Sequence, residues 1–362
     1  MDTIGHGLDG APGGATALTR DATQSQTAVG PSAQPTGRAA QEGRRGPLVS
    51  VVVPCFRGGP LLEQAVASVQ AQTYSRWELI LVDNGVPGGL DDVCPDERAR
   101  VVREPRPGIA WARNRGILVA RGELVALLDE DDLWHPDKLT RQVRALSEAP
   151  AAVLCHSDYR VVDREGRPLG VSSSWLPGSY EEMLRKGGGI LASTVVVCRD
   201  RLAASGLHDP RRRSADDLDL FLRLLREDAQ LVVLKEQLAD YRWHSLNTSK
   251  RYRIQCRELR GILRDAGRLA RMEGRWDRFL LATRGELATR KGFGEVAADR
   301  AARELCEGEV VKALSDLAFG LWLSPLAAAV LWKRWRVLAA GRPRTRSGGP
   351  GGVASAQTEV GG

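Results

Sequence analysis

Aspartates follow hydrophobic, strand-like segments in this sequence, and aspartate can bind a cation or accept a proton. Four acidic residues in a row, Asp129 to Asp132, directly follow the apolar segment 124–128. A hard cation such as Mg²⁺ or Mn²⁺ would relieve their mutual repulsion, since it prefers carboxylate and phosphate oxygens. Side chains alternate along an extended chain, so Asp129 and Asp131 would face the same ion. The alternative is an acidic loop that caps the helix predicted to begin at Pro136.

A second aspartate, Asp83, ends the apolar segment 77–82 and is followed by Asn84 and Gly85. A carboxylate at the end of a strand can accept hydrogen bonds from the ribose or base of a nucleotide. The same three residues are also typical of a tight turn, so both interpretations stay open.

A pair of aspartates, Asp216 and Asp217, precedes an apolar pattern with helical spacing. One of them could act as a general base that deprotonates an acceptor hydroxyl. The alternative is a helix cap that complements the helix dipole. A helix N-terminus favours the charged carboxylate, whereas the neighbouring carboxylate disfavours it, so the two effects on the pKa of Asp217 oppose each other.

Three further polar residues are candidates for the same chemistry. Arg113 lies near the middle of the predicted helix 109–120, where it could reach a phosphate, and Asn114 could bind nearby loops. A solvated arginine is the alternative. His244 would be a third metal ligand only if the chain folds back beside Asp131; otherwise it is a packed or surface histidine.

The elements that must position these residues alternate between strand and helix. Continuous apolar strands are predicted at 48–53, ended by Pro54, and at 77–82 and 124–128, with a shorter strand at 100–103. Helical spacing appears between them, which predicts a mostly parallel α/β sheet with helices on both faces. Ligands of such sheets bind beyond the carboxyl ends of the strands, where Asp83 and the acidic cluster fall.

Composition changes along the chain predict four segments. Residues 1–46 and 341–362 are poor in large apolar side chains and are predicted to be disordered tails. Residues 47–250 would form the catalytic domain, and 251–340 a helical, arginine-rich C-terminal region. The net charge of +7 suits anionic ligands, but without zinc-finger spacing or a basic stripe with aromatics we expect no nucleic acid partner. Six widely spaced cysteines and the lack of a signal peptide pattern predict free thiols in the cytoplasm.

The segment 313–338 is apolar but contains Asp316 and Pro325, and its tryptophans stand beside lysine and arginine. Tryptophan and basic residues favour the membrane interface, so the segment could make peripheral contact with the inner face of a membrane. The favoured alternative is a soluble helical pair broken at Pro325. The oligomeric state has no signal in the sequence.

Taken together, these motifs resemble the family 2 glycosyltransferases of the GT-A fold over about residues 51–249. The resemblance rests on several segments in register: Val-Val-Val-Pro54, the strand ending in Asp83, Gly-Ile-Ala-Trp-Ala-Arg113-Asn114-Arg-Gly-Ile, Leu-Asp129-Glu-Asp131-Asp132-Leu-Trp-His-Pro136, Gly206-Leu207-His208-Asp209, Asp216-Asp217-Leu-Asp219-Leu and Tyr-Arg-Trp-His244.

The resemblance implies an inverting transfer of a sugar from a nucleotide-sugar donor to a hydroxyl acceptor on a polysaccharide, a lipid-linked glycan or a natural product. It implies a site that binds the donor, Mn²⁺ or Mg²⁺ and the acceptor hydroxyl. The implied site residues are Pro54, Asp83, Arg113, Asn114 and Asp129 for the donor, Asp129, Asp131, Asp132 and His244 for the metal, and Asp217 with Asp216 for catalysis.

The sequence departs from the family's pattern at three places. Cys55-Phe56 replaces the usual Tyr-Asn, Asp83-Asn84-Gly85-Val86 replaces Asp-Asp-Gly-Ser, and Asp216 replaces a glutamate. Two rival interpretations remain. A nucleotidyltransferase would need a glycine-rich phosphate loop, which 55–60 does not provide. A binding module without catalysis would be expected to have lost some of these acidic residues.

Overall fold

The computed structural model describes residues 46–90, 93, 96–172, 175–244, 247 and 251–340. The predicted tails, 1–46 and 341–362, lie outside these residues apart from Gly46. Strands and helices alternate through most of the described part of the chain, as the sequence predicts. Five cysteines in it are free, and Cys94 is not among the described residues.

The elements are as follows: β1 Val49–Cys55, α1 Pro60–Gln70, β2 Trp77–Asp83, β3 Ala99–Arg103, α2 Ile109–Val119, β4 Leu124–Leu127, β5 Leu133–Trp134, α3 Lys138–Glu148, β6 Ala152–Val162, β7 Pro168–Ser172, α4 Tyr180–Lys186, a 3₁₀ turn Ala192–Thr194, β8 Val195–Cys198, α5 Arg199–Ala204, α6 Asp216–Leu225, β9 Gln230–Arg242, α7 Tyr252–Met272, α8 Trp276–Glu307, α9 Val310–Leu323 and α10 Ala327–Ala340.

All the described strands belong to one sheet with the order β3-β2-β1-β4-β8-β6-β9-β5, and β7 pairs with β6. The adjacent strands β3, β2, β1 and β4 are parallel to one another, and β6 is parallel to β9. Antiparallel pairs join β4 to β8, β8 to β6, β6 to β7 and β9 to β5. The parallel half therefore brings the carboxyl ends of β2, β1 and β4 to one edge.

Helices cover both faces of this sheet, as predicted. Every residue of β1 is buried, and its side chains alternate between two apolar clusters. Val51 and Val53 belong to the cluster that includes α1 and α3. Val52 belongs to the other, which includes α2, α4, α5, α6 and α7. Burial on both faces explains why these strands are continuous apolar runs without polar alternation.

Two features near the acidic cluster differ from the sequence-based expectation. Pro136 does not open a helix: α3 begins at Lys138, and the Pro136 carbonyl accepts a hydrogen bond from Thr73 N at 2.9 Å. The long strand β9 has no clear apolar pattern, because most of its residues are only partly buried or exposed and it carries charges in its middle. Pairing with β6 and β5, rather than its own composition, fixes it as a strand.

The chain divides into two compact units, one reaching to Phe293 and the other beginning at Gly294. In the first unit, Ile262, Leu263 and Ala282 of the C-terminal helices join the apolar core. The predicted domain boundary at 250 stays a prediction. No helix among the described residues is both long enough and apolar enough to cross a membrane.

Candidate active site

The acidic loop after β4 is fastened to the loop after β1 by Glu130. Its carboxylate accepts hydrogen bonds from the backbone N–H groups of Phe56 at 3.0 Å, Arg57 at 3.1 Å and Gly58 at 3.2 Å. Burial raises the pKa of Glu130 even though these donors favour its charged form. Glu130 therefore holds two strand ends together and faces away from any shared ion.

Asp132 also has a structural contact at each oxygen. It is fully buried, and its carboxylate accepts from Ser193 Oγ at 2.5 Å and from Arg242 N at 3.0 Å. Burial, with the charges of Asp131 and Asp129, raises its pKa well above the usual range. Asp132 thus links the acidic loop to β9 and to the 3₁₀ turn.

Asp129 and Asp131 are the members of the cluster that reach the open edge of the sheet, with side chains 23% and 17% exposed. Asp129 is 2.7 Å from Arg113 Nη2, while Asp131 is 3.7 Å from Arg57 Nη1. Burial raises the pKa of Asp129, and Arg113 opposes this rise. Two carboxylates on one loop fit Mg²⁺ or Mn²⁺, which commonly takes its other ligands from water and substrate phosphates.

His244 lies beside Asp131, as its predicted role requires. Strand β9 returns the chain to the acidic loop, and His244 Nε2 is 2.9 Å from Asp131 Oδ2. The His244 backbone N–H donates to Asn247 Oδ1 at 2.6 Å, which fixes this turn. Within the described ranges, no group of three or more His, Cys, Asp or Glu side chains is arranged to hold a metal ion. The four predicted ligands are thus not one set, because Asp132 turns inward.

Arg113 connects the acidic loop to the start of α6. Its guanidinium is 3% exposed and contacts Asp129 at 2.7 Å through Nη2 and Asp216 at 3.0 Å through Nη1. Burial alone would lower the pKa of this arginine, but the two carboxylates raise it. We predicted that Arg113 could reach a phosphate; in the structure it is a buried link between two acidic residues.

Asp216 and Asp217 have opposite electrostatic environments although they are adjacent. Burial would raise the pKa of Asp216, but Arg113 and His208, whose Nδ1 is 2.7 Å away, outweigh it and hold that pKa far below its usual range. Burial and the charge of Asp216 raise the pKa of Asp217 to about 7. Burial and the neighbouring charge together outweigh the effects of Arg113 and of the backbone hydrogen bond, which lower the pKa of Asp217. A carboxylate with a pKa near 7 suits a general base.

The predicted donor residues occupy different parts of the same edge. Asp83 Oδ1 accepts from Gly85 N at 3.0 Å and Val86 N at 2.9 Å, so it forms the turn that was its alternative interpretation. Asp83 ends β2, and Pro54 is buried near the end of β1, between β2 and β4. Neighbouring strands lie about 5 Å apart, which puts the ends of β2 and β4 about 10 Å from each other.

Asn114 has its amide engaged elsewhere. Its Nδ2 donates to the His208 carbonyl at 2.8 Å, and its Oδ1 accepts from His208 N at 2.9 Å. It therefore binds a nearby loop, as the sequence suggested, and holds His208 beside Asp216. Direct contact between Asn114 and a donor stays a prediction.

Sequence reasoning did not assign a role to His208 or to Glu258. The Glu258 carboxylate, from α7, accepts from the backbone N–H groups of Arg213 at 2.9 Å, Ser214 at 2.9 Å and Ala215 at 3.2 Å. It thereby fixes the residues that lead into Asp216. A glutamate in an arginine-rich helix has no pattern that could have revealed this contact. His208 lay within a quoted motif, but only the fold shows its partner.

The sheet and these side chains define a class of protein: an α/β enzyme whose acidic residues meet at the carboxyl ends of parallel strands. Residues 50–199 match the family model described as glycosyl transferase family 2. A Bacillus subtilis (strain 168) glycosyltransferase named for teichuronic acid biosynthesis, TuaG, is 31% identical over 238 residues, which are 64% of this chain and 92% of that protein. The chain belongs to glycosyl transferase family 2 and is a glycosyltransferase.

Other relatives agree with this assignment. The amylovoran biosynthesis glycosyltransferase AmsB of Erwinia amylovora is 28% identical over 53% of this chain and 68% of its own. TarS 1–349 from S. aureus has a TM-score of 0.55 at 14% identity, covering 81% of this chain and 90% of that one. The mannosyltransferase PcManGT from Pyrobaculum calidifontis, solved with GDP-Man and Mn²⁺, has a TM-score of 0.52 at 17% identity, covering 82% and 94%. The fold is the predicted GT-A type.

Proposed function

We propose that this glycosyltransferase moves a sugar from a nucleoside diphosphate sugar to a hydroxyl group, with inversion at the anomeric carbon and with a divalent cation. One observation carries the proposal: the Arg113 guanidinium contacts Asp129 at 2.7 Å and Asp216 at 3.0 Å. A carboxylate suited to a cation and the carboxylate next to the candidate base are thus held by different nitrogens of one guanidinium group, Nη2 and Nη1. The leaving diphosphate and the attacking hydroxyl need such a division.

Asp129 and Asp131 are the residues that would hold Mn²⁺ or Mg²⁺, with His244 beside Asp131. When bound, the cation offsets the negative charge that develops on the leaving diphosphate. The complex of PcManGT with GDP-Man and Mn²⁺ supports this choice of metal and of donor class, since that enzyme shares the fold. Asp132 and Glu130 would keep the loop in place through their backbone contacts.

Asp83 and Pro54 would bind the nucleoside end of the donor. The end of β2 lies about 10 Å from the end of β4, so the nucleoside and the diphosphate of one donor would occupy different parts of this edge. Asp83 is only partly buried and already forms the turn through Oδ1. The turn geometry would aim the carboxylate at a ribose hydroxyl or a base.

Asp217 would remove the proton from the acceptor hydroxyl as its oxygen bonds to the anomeric carbon. The bond from that carbon to the diphosphate breaks on the opposite face, so one displacement inverts the centre. The proton ends on Asp217, and the electron pair leaves with the diphosphate. The pKa of about 7 supports this role, because such a carboxylate is both substantially ionised and basic at neutral pH.

The acceptor we propose is a polysaccharide or a lipid-linked glycan. Two relatives are named for the biosynthesis of polymers, teichuronic acid and amylovoran. We place the enzyme in the cytoplasm, where its donor class is made, in line with the sequence-based prediction.

A panel of nucleotide sugars tests this function, with donor hydrolysis and product stereochemistry measured with and without Mn²⁺ or Mg²⁺. We expect turnover of at least one donor only with metal, and Asp217→Asn should bind that donor but lose transfer. Asp200→Asn is the matched control, because Asp200 is 92% exposed on α5. Metal-dependent nucleotide binding without turnover of any donor would instead favour a binding module, and a fully active Asp217→Asn would remove Asp217 from the mechanism.

A further inference from the structure

The helix α9 carries an apolar stripe that faces solvent. Val311 is 83% exposed, Leu314 58% and Leu321 42%, and Trp322 beside them is 65% exposed. Positions 311, 314, 318 and 321 recur at helical spacing, so they share one face. Scattered exposed apolar residues are ordinary, but a continuous stripe on one helix marks an interaction surface.

The next helix, α10, adds aromatic side chains next to positive charges. Trp332 is 61% exposed and Trp335 40%, and their rings stack with centroids 5.8 Å apart. Lys333 and Arg336 lie on the same helix and are exposed. Tryptophan rings beside lysine and arginine are typical of segments that lie at the boundary between lipid and water.

One face of the helices α9 and α10 is packed, and the exposed apolar stripe lies outside this packed face. Small residues lie at this packed face: a Cβ added at Gly320 of α9 would come within 3.2 Å of Ala297 Cβ in α8 and within 3.3 Å of Ala327 Cβ in α10. Ala313 and Leu323 are also buried. The soluble helical pair favoured by the sequence therefore accounts for one side of these helices and leaves the large apolar residues uncovered.

The charge of this region selects among possible partners. Residues 310–346 contain seven lysines and arginines and one acidic residue. That residue, Asp316, is buried and paired with Arg300 at 3.1 Å. Lys312 pairs with Glu309, and Arg334 pairs with Asp299. Both ion pairs are partly exposed. A second copy of the same surface would bring like charges together, whereas anionic lipid phosphates would complement them.

We propose that α9 and α10 bind the surface of an anionic lipid bilayer. We call the exposed residues that would contact the bilayer the docking surface. They are Val311, Leu314, Leu321, Trp322, Trp332, Trp335, Lys333 and Arg336. Its aliphatic and indole side chains enter the headgroup region, and its basic side chains contact lipid phosphates. The helices lie on the membrane and do not cross it. Docking would hold the enzyme where lipid-linked acceptors are found, yet it does not depend on the proposed transfer reaction.

Co-sedimentation of the full chain with phosphatidylcholine vesicles, with or without phosphatidylglycerol, tests the docking surface. We expect binding to vesicles that contain phosphatidylglycerol, and release at high salt. The double variant Lys333→Gln/Arg336→Gln should weaken binding about fivefold for each charge removed. The double variant Trp322→Ala/Trp332→Ala should weaken binding at every salt concentration, because it removes the apolar part.

Trp276→Ala is the matched control, since Trp276 is 59% exposed but belongs to the start of α8. It should sediment as the parent does, and all variants should keep the parent's helical circular dichroism and donor hydrolysis. Absence of binding to anionic vesicles would overturn the proposal, as would equal binding by Trp322→Ala/Trp332→Ala and the parent. A parent that is dimeric in sedimentation analysis, with a monomeric double tryptophan variant, would assign the surface to a second copy and also overturn it.

Discussion

At the scale of single residues, Arg113 determines how the charges of the site are distributed. It is buried between Asp129 and Asp216, and the charge that it stabilises on Asp216 in turn raises the pKa of Asp217. One carboxylate of the pair is thereby kept ionised while the other is made basic. Burial, together with Arg113 and His208 beside Asp216, therefore gives these two adjacent aspartates very different pKa values.

Asp217→Asn should stabilise the folded protein at pH 8 while it abolishes transfer. The folded-state pKa of about 7 lies above the value near 3.9 of an unfolded chain, so the folded state binds more protons between these values. Stability therefore falls as pH rises from about 4 to about 7, and the asparagine removes this loss. The difference of about 3 pKa units sets an upper limit of about 4 kcal/mol for the gain in the free energy of unfolding.

Urea unfolding at pH 8 and at pH 4 measures this effect. The advantage of Asp217→Asn should be largest at pH 8 and small at pH 4, where the parent's carboxyl is protonated. Transfer by the parent should rise with pH through an apparent pKa at or below about 7, because the base must be ionised. A variant no more stable than the parent at pH 8 would show that Asp217 is not held in a strained charge environment.

Arg113→Met should cost about 3 kcal/mol of stability, because it leaves Asp129 and Asp216 without their buried partner. Arg113→Lys should recover only part of this loss, since an ammonium group cannot span both carboxylates as the planar guanidinium does. Arg115→Met, on an exposed position of the same helix, is the control and should be nearly neutral. Chemical denaturation compares the three, and equal stability of Arg113→Lys and the parent would argue against the bridging role.

At the scale of elements, the proposed base is positioned by a helix remote in sequence. Glu258 of α7 accepts three backbone hydrogen bonds from the residues just before α6, and α6 begins with Asp216. The hydrogen-bond donors are main-chain amides, which almost every residue has. The local sequence therefore gives no sign of this contact. The C-terminal helix α7 is in this way part of the active site's framework.

Glu258→Ala should lower kcat with little change in the donor KM, because it loosens the start of α6 and leaves the acidic loop after β4 intact. The three amides lose their acceptor, which should cost about 1–3 kcal/mol of stability. Glu258→Gln keeps one acceptor oxygen, so its stability and kcat should lie between those of the parent and those of Glu258→Ala. Glu273→Ala, at an exposed position just after the end of α7, is the control. An unchanged kcat in a destabilised Glu258→Ala would limit this residue to a purely structural role.

The elements that the sequence predicts well are those with burial on both faces. The strands β1, β2 and β4 stand out as apolar runs because helices cover both sides of them. By contrast, β9 is charged in its middle and partly exposed, and β5 has two residues, so neither has an intrinsic signal. The backbone pairing of β9 with β6 and β5 makes these segments strands, and the composition of a segment does not reveal its pairing partner.

The same distinction applies to the site. Sequence reasoning identified the acidic residues because their type and position after strands have chemical meaning. It could not assign their orientation: Asp132 turns inward to Ser193, and Asn114 turns to His208. Which side of a loop faces a ligand depends on tertiary contacts, and those contacts come from distant segments.

At the scale of the whole molecule, the parallel half of the sheet supplies the site and the antiparallel part supports it. The carboxyl ends of strands β2, β1 and β4 lie at one edge of the sheet, while β9 returns His244 to Asp131. The second compact unit begins at Gly294 and contains the end of α8 with α9 and α10, which carry exposed apolar side chains. A glycosyltransferase acting on a lipid-linked or polymeric acceptor would use both parts.

The central claim is that Asp129 and Asp131 hold a divalent cation that binds a diphosphate. Calorimetric titration of the parent with nucleoside diphosphates, with and without Mn²⁺, tests it most directly. We predict binding of at least one nucleotide that requires Mn²⁺, loss of that binding in Asp131→Ala, and its retention in Asp200→Ala and Asp217→Asn. Equal binding in the absence of Mn²⁺, or an Asp131→Ala variant that binds as tightly as the parent, would contradict the account.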